Sequence, residues 1–288
     1  MAITLGAHQY GKSATRLVHV GRDGQEHQLV DMTVDVTLTG DFADTYLTGD
    51  NSRVLPTDSQ KNAVYAFARR YGVAVIEDFA ALLARHFVDS QQSVHAARVS
   101  ITAYHWRRLG PHSFQRCGDE TRRAIVTYDG SQTWVVSGLT DLVLLNSTGS
   151  EFHGFIKDPY TTLAETTDRI LATVVNAYWR YRTGDGDWNA SYQATRQALI
   201  DAFVQTHSLS LQQTLYAMAE RVLAQCAEVV EVRLALPNRH HLLVDLSPFG
   251  LDNPNVVFNA TEQPYGLIEG TVLRDDAPPA GRAWALSA

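Results

Sequence analysis

Val54-Leu55-Pro56-Thr57-Asp58-Ser59-Gln60-Lys61-Asn62 joins an extended apolar run to a helix. Pro56 biases Leu55 towards an extended conformation. Thr57 stands where a helix N-cap is expected, with Asp58 and Ser59 in the first turn. Downstream, Val64, Tyr65, Phe67 and Ala68 recur at helical spacing, and Gly72 closes the pattern. A second helix runs from about Ile76 to Phe87, with Phe79, Leu82, Leu83 and Phe87 on one face. Upstream lies a hairpin: Leu17 to Val20, a Gly-Arg-Asp-Gly turn, then His27 to Leu38 with Met32, Val34, Val36 and Leu38 on one side. The polar residues 40–50 between them form a loop or short helix. After the helix pair, Ser93 to Trp106 and Ser113 to Tyr128 read as two strands around Gly110-Pro111.

The same order then starts again. Thr133 to Asn146 and Asp168 to Arg182 read as strands, separated by a long connection over 147–167. Asn189 to Thr206 and Ser210 to Ala227 read as helices, each opening on a polar cap candidate, Asn189 and Ser210. Val229 to Leu236 and His240 to Leu246 read as a last hairpin around Pro237-Asn238, followed by a short extended piece, Tyr265 to Leu273. The Ala- and Pro-rich stretch from Asp275 is expected to be a mobile tail. Two rounds of strand-strand-helix-helix-strand-strand imply an α+β class, with helix pairs on one face of an antiparallel sheet. Such a sheet has open edges, and other subunits can close them. The duplicated pattern resembles the tunnelling fold, in which subunits join sheets into an oligomeric barrel. The expected division is a first repeat over 1–132 and a second over 133–288.

Composition narrows the function. The 288 residues are 45% hydrophobic, enough for a substantial core. A net charge of -7 argues against a nucleic-acid partner, which selects for a basic face. The basic cluster Arg107, Arg108, Arg116, Arg122 and Arg123 flanks a turn and reads as a solvated or interface surface. Two cysteines, Cys117 and Cys226, exclude a disulfide framework and a cysteine-built zinc site. That pairing-poor usage fits a reducing cytoplasm. No window approaches the roughly 18 apolar residues of a membrane span, and no signal peptide is expected.

Gly6-Ala7-His8-Gln9-Tyr10-Gly11-Lys12-Ser13 satisfies the phosphate-loop pattern. That motif needs a strand before it and a helix after it, and here strand and turn follow. A nucleotide-phosphate site through Lys12 is therefore the weaker reading. A lysine at the start of a strand, desolvated beside other polar groups, can instead act as a proton acceptor.

Pro56-Thr57-Asp58-Ser59 and the run Leu142 to Leu163, continuing to Asp168-Arg169, together resemble the factor-independent urate oxidases (uricases). Tyr10-Gly11-Lys12 with Arg16, Leu209-Ser210-Leu211-Gln212, Pro237-Asn238 with His240, and Gly266-Leu267-Ile268 match the family in the same order, across about residues 8 to 273. Asn146 departs from the family, which usually has lysine there. The chain ends Ala-Leu-Ser-Ala rather than in the peroxisomal Ser-Lys-Leu of many eukaryotic members, so the resemblance points to a bacterial, cytoplasmic member.

The resemblance implies oxidation of urate by O₂ without a metal or organic cofactor, in a homotetramer with active sites between subunits. Urate is a flat, electron-rich purine carrying negative charge. Phe152 would stack on it. Arg169 would grip a ring oxygen and nitrogen in two-pronged fashion, and the Gln212 amide would pair with the opposite edge. Backbone N–H groups of Asp58 and Leu211 would add contacts, and Leu163 and Ile268 would form apolar walls. Lys12, Thr57 and His240 would form a proton relay, with Thr57 also touching the substrate. Asn238 would hold O₂ and then water over the ring, beside Thr57. Neighbouring His240 and His241 look like metal ligands, but adjacent strand residues point to opposite faces. Three alternatives stand beside this reading: a zinc hydrolase of a pterin or purine using His95 or His105, a nucleotide binder through Lys12, and a silent relative that binds 8-azaxanthine without consuming urate.

Overall fold

The computed structural model describes residues 2–285. Strands β1 (Tyr10–Gly21) and β2 (Gln28–Gly40) lead through a short helix α1 (Ala43–Leu47) to helices α2 (Thr57–Tyr71) and α3 (Ile76–Asp89), then to β3 (Val94–Gly110) and β4 (Ser113–Tyr128). The second round is β5 (Thr133–Asn146), β6 (Leu171–Tyr181), α4 (Trp188–Gln205), α5 (Leu211–Gln225), β7 (Val229–Leu243), β8 (Phe258–Thr261) and β9 (Leu267–Leu273). All nine strands belong to one sheet ordered β1 to β8, with β9 also on β7. Every pairing is antiparallel. β4 pairs with β5 from Thr121–Thr140 to Tyr128–Thr133, so the ladder runs unbroken between the two rounds.

Period-two alternation sets which side of the sheet is dry. Met32, Val34, Val36 and Leu38 are buried, while Thr33, Asp35, Thr37 and Thr39 between them stay partly open on the other face. The buried stripes of α3 (Phe79, Leu83, Phe87) and α5 (Leu211, Met218, Val222) join them in one hydrophobic cluster spanning both rounds. Each such aliphatic or aromatic side chain contributes about 1.5–3 kcal/mol by leaving water. The expected α+β architecture, with helix pairs on one face, is what the chain adopts.

Several local expectations need correction. Thr57 is not the cap of α2. Pro56 (φ -53°, ψ 140°) takes that place and Thr57 is the first helical residue, so its hydroxyl is not spent on a backbone cap. Asp187, not Asn189, caps α4, accepting from the Ala190 N–H at 3.0 Å. Ser210 does cap α5, accepting from the Gln213 N–H at 3.1 Å. Pro237-Asn238 is not a turn, because β7 runs straight through it. Pro237 sits at the last rung shared with β9, just before β7 passes to β8, where a missing N–H is tolerated. The stretch from Asp275 is packed as far as Trp284. Arg180 donates to the Pro278 carbonyl at 2.9 Å, Arg98 donates to the Ala283 carbonyl at 3.1 Å, and Arg233 stacks 3.8 Å over the Trp284 ring. The end of that expected mobile tail, 286–288, lies outside the described residues.

Candidate active site

The first cluster forms where β1 meets the start of α2. Lys12 lies opposite Val36, a core residue, so its side chain leaves the sheet on the helix-bearing face. A β-bulge between Lys12 and Thr15 follows at once, with Ala14 at φ 56° and its N–H bound to Asp35 Oδ1 at 2.7 Å. Bulges re-aim side chains in this way. Gly11 has a steric role, since an added Cβ would collide with the Val36 carbonyl. Thr57, Asp58 and Ser59 open α2. The first bond of the helix is the Gln60 N–H to the Pro56 carbonyl at 3.2 Å, so the amides before it have no helical acceptor. Asp58 is exposed, and the hydrogen bond from Lys61 holds its carboxyl below the usual range, with smaller help from Asn62 and the charge of Lys12.

Tyr10 sets the spacing between these pieces. Its hydroxyl accepts from the Leu55 N–H at 2.8 Å and donates to the Leu55 carbonyl at 3.0 Å. Its ring meets Phe42 edge-on at 4.8 Å, and burial pushes the phenol pKa up. Tyr10→Phe is therefore expected to cost about 1–3 kcal/mol, because the Leu55 N–H loses its acceptor and the Leu55 carbonyl keeps only the 3.3 Å bond from the Gln60 side-chain amide. Denaturant unfolding of the two proteins checks this, and an unchanged midpoint would contradict it.

The second cluster is built on the connection between β5 and β6, on β7, on β9 and on the start of α5. Ser150 and Ser208, both buried, form a parallel bridge. The Glu151 N–H donates to the Ser208 carbonyl at 2.7 Å, and the Thr214 hydroxyl of α5 donates to Ser208 Oγ at 2.7 Å. Phe152 is bridged to Thr166 by two backbone bonds of 2.8 and 3.0 Å. The Arg169 N–H donates to the Ser150 carbonyl at 2.9 Å, and its guanidinium carbon stands 5.1 Å from the Phe152 ring centre. Burial lowers the Arg169 pKa from its ordinary value, though an arginine stays protonated at working pH. Leu211 and Gln212 begin α5 with Gln212 exposed. On β7, Asn238 and His240 share the parity of buried Leu236 and so face the helices, as does Ile268 opposite Leu236 on β9. Asn238 pairs with Thr173, and its N–H donates to the Gly266 carbonyl at 2.9 Å.

Each cluster is ordered, yet one chain does not bring them together. β1 is one border of the sheet, while β7 with β8 and β9 forms the other. Six strand spacings of about 4.8 Å separate β1 from β7, roughly 29 Å along the sheet. Lys12, Thr57 and Asp58 thus stand apart from Phe152, Arg169, Leu211, Gln212, Asn238, His240 and Ile268. Leu163 is 61% exposed and walls nothing within its own chain. Asn146, at the end of β5, donates to the Phe203 carbonyl at 3.0 Å, clamping the last turn of α4. Sequence reading picked out Tyr10 only as part of a motif and missed both its tie to Leu55 and the Ser150–Ser208–Thr214 stitch, because each acts through contacts more than forty residues away or through a buried hydroxyl with no motif of its own.

The alternative sites are less well made. Gly11, Lys12 and Ser13 lie within β1, with no helix after them to cradle phosphate. His95 lies 3.3 Å from Asp41. Among the described residues, no three His, Cys, Asp or Glu side chains converge as a ligand set. Among those same residues no helix is long and apolar enough to cross a membrane.

A duplicated antiparallel sheet carrying helix pairs on one face places the chain among the tunnelling-fold proteins. The family model described as Uricase matches residues 8–127 and 135–269. A uricase of Arthrobacter globiformis is 47% identical over 98% of this chain and 94% of its own, and one of Dictyostelium discoideum is 38% identical over 94% and 98%. The crystal structure of the Arthrobacter globiformis uricase superposes with a TM-score of 0.96 at 46% identity, covering 99% of both chains. The chain belongs to the uricase family.

Proposed function

We propose that this protein is a urate oxidase that converts urate, O₂ and water to 5-hydroxyisourate and hydrogen peroxide. The observation that carries the reading is the split of two ordered clusters between opposite borders of one sheet. Adjoining protomers that place those borders side by side complete a pocket for one flat heterocycle. In the proposed homotetramer of repeats 1–132 and 133–288, Lys12, Thr57 and Asp58 come from one protomer. Phe152, Arg169, Leu211, Gln212, Asn238, His240 and Ile268 come from its neighbour, and Leu163 acquires its ligand-facing role there.

Chemically, the ring gives two electrons to O₂, which takes up two protons and leaves as H₂O₂. Water supplies the oxygen that bonds to the ring carbon. Phe152 stacks on the purine, Arg169 and Gln212 grip its two edges, and the free N–H groups of Asp58 and Leu211 donate to its remaining lone pairs. Thr57 passes a proton to Lys12, and His240 orients the lysine. Asn238 holds O₂, then water, above the ring beside Thr57. The deprotonated purine is itself the electron donor, so the reaction needs no added metal or organic cofactor. Purified protein in chelator-treated buffer is expected to bleach urate in the ultraviolet with one peroxide per urate. Binding of 8-azaxanthine without urate loss would favour the silent relative, and activity restored only by zinc would favour the hydrolase.

A further inference from the structure

Glu151, His153 and His207 lie behind Phe152 and take no part in the chemistry above. The two carboxylate oxygens of Glu151 face one imidazole each: Oε1 lies 2.5 Å from His207 Nε2 and Oε2 lies 2.8 Å from His153 Nε2. These hydrogen bonds, His207 foremost, hold the Glu151 carboxyl below its usual range. Residues 151 and 153 flank Phe152 in extended backbone, so they share the face opposite the phenyl ring. His207 belongs to the short link between α4 and α5, four residues before Leu211. The Glu151 N–H already joins that link through the Ser208 carbonyl. One side chain therefore ties the segment bearing the stacking ring to the segment bearing the Gln212 amide.

We propose that Glu151, clasped by His207 and His153, is a positioning residue that fixes the distance between the stacking ring of Phe152 and the edge-reading end of α5. This rests on the urate reading of the site. The clasp touches no reacting atom, so it acts on ligand binding in ground state and transition state alike. It raises KM when broken and leaves kcat nearly unchanged. His207 is 58% and His153 51% exposed, so water weakens each pair and the effect is moderate.

Glu151→Ala and His207→Ala are each expected to raise the KM for urate about fivefold with kcat within about twofold. The double variant should be no worse than Glu151→Ala alone, because the Glu151–His207 contact is lost only once. Glu151→Gln, whose carbonyl still accepts one imidazole N–H, should recover part of the loss. Independently of urate, amide hydrogen exchange over residues 150–153 should quicken in ligand-free Glu151→Ala. An unchanged KM, equal losses in kcat and kcat/KM, or unchanged exchange at 150–153 would each overturn the clasp. Faster exchange in a protein whose wild type leaves urate untouched would retain the clasp and sink the urate reading instead.

Discussion

Replacing Lys12 by Met is expected to lower kcat for urate by roughly 10²–10⁴-fold, the usual worth of a positioned proton-transfer group. KM should move far less, because stacking on Phe152 and the Arg169 fork survive. Thr57→Ala should act in the same direction, since its hydroxyl is not committed to capping α2 and is free to hand a proton on. The two losses should not add. If Lys12 and Thr57 are consecutive links of one relay, breaking either link breaks the chain, and the double variant should resemble the worse single one. Steady-state kinetics on the four proteins decides this. A KM rise with intact kcat would reduce Lys12 to an electrostatic anchor for an anionic ring. Additive losses would separate the two residues into independent roles.

That prediction depends on how Lys12 is aimed, which the sequence foretold only in part. Alternation and helical spacing placed the strands and helices, because each buries one stripe against a shared core. Other features were decided by partners far along the chain. Pro-Asn is a turn dipeptide in isolation, yet Pro237-Asn238 is extended because β6 and β9 pair with β7 on either side. β8 is four residues long and exists only against the end of β7. The stretch after Asp275 looks like a tail by composition, but Arg98, Arg180 and Arg182 donate to it. For the site, residue types were legible through motifs, whereas their division between two borders was not. Strand order alone fixes that division, and no short motif encodes it.

The join between the two rounds controls whether those borders keep their relative pose, and it holds a buried charge. Glu77 of α3 is fully buried; Oε2 accepts from Arg122 of β4 at 2.8 Å and Oε1 from the Ser137 hydroxyl of β5 at 2.6 Å. Arg122 also donates to Asn189 Oδ1 of α4 at 2.7 Å and stacks 4.5 Å over the Tyr192 ring. Beside it the Trp188 indole donates to Asp78 at 2.7 Å. Four elements from both rounds thus share one ion pair. Arg122→Met would leave the Glu77 carboxylate in the core with a single neutral donor, at an expected cost of about 3–5 kcal/mol. Glu77→Leu together with Arg122→Met removes both charges and should regain most of that loss, since two apolar groups of similar size leave no charge stranded. Denaturant midpoints at fixed protein concentration measure both effects, because assembly itself shifts apparent stability. A single variant within about 1 kcal/mol of the parent would mean that water reaches Glu77 and that the pair does not brace the halves. With the brace lost but the fold retained, β1 and β7 would shift relative to one another. Urate turnover should then fall even though no residue touching the ligand has changed.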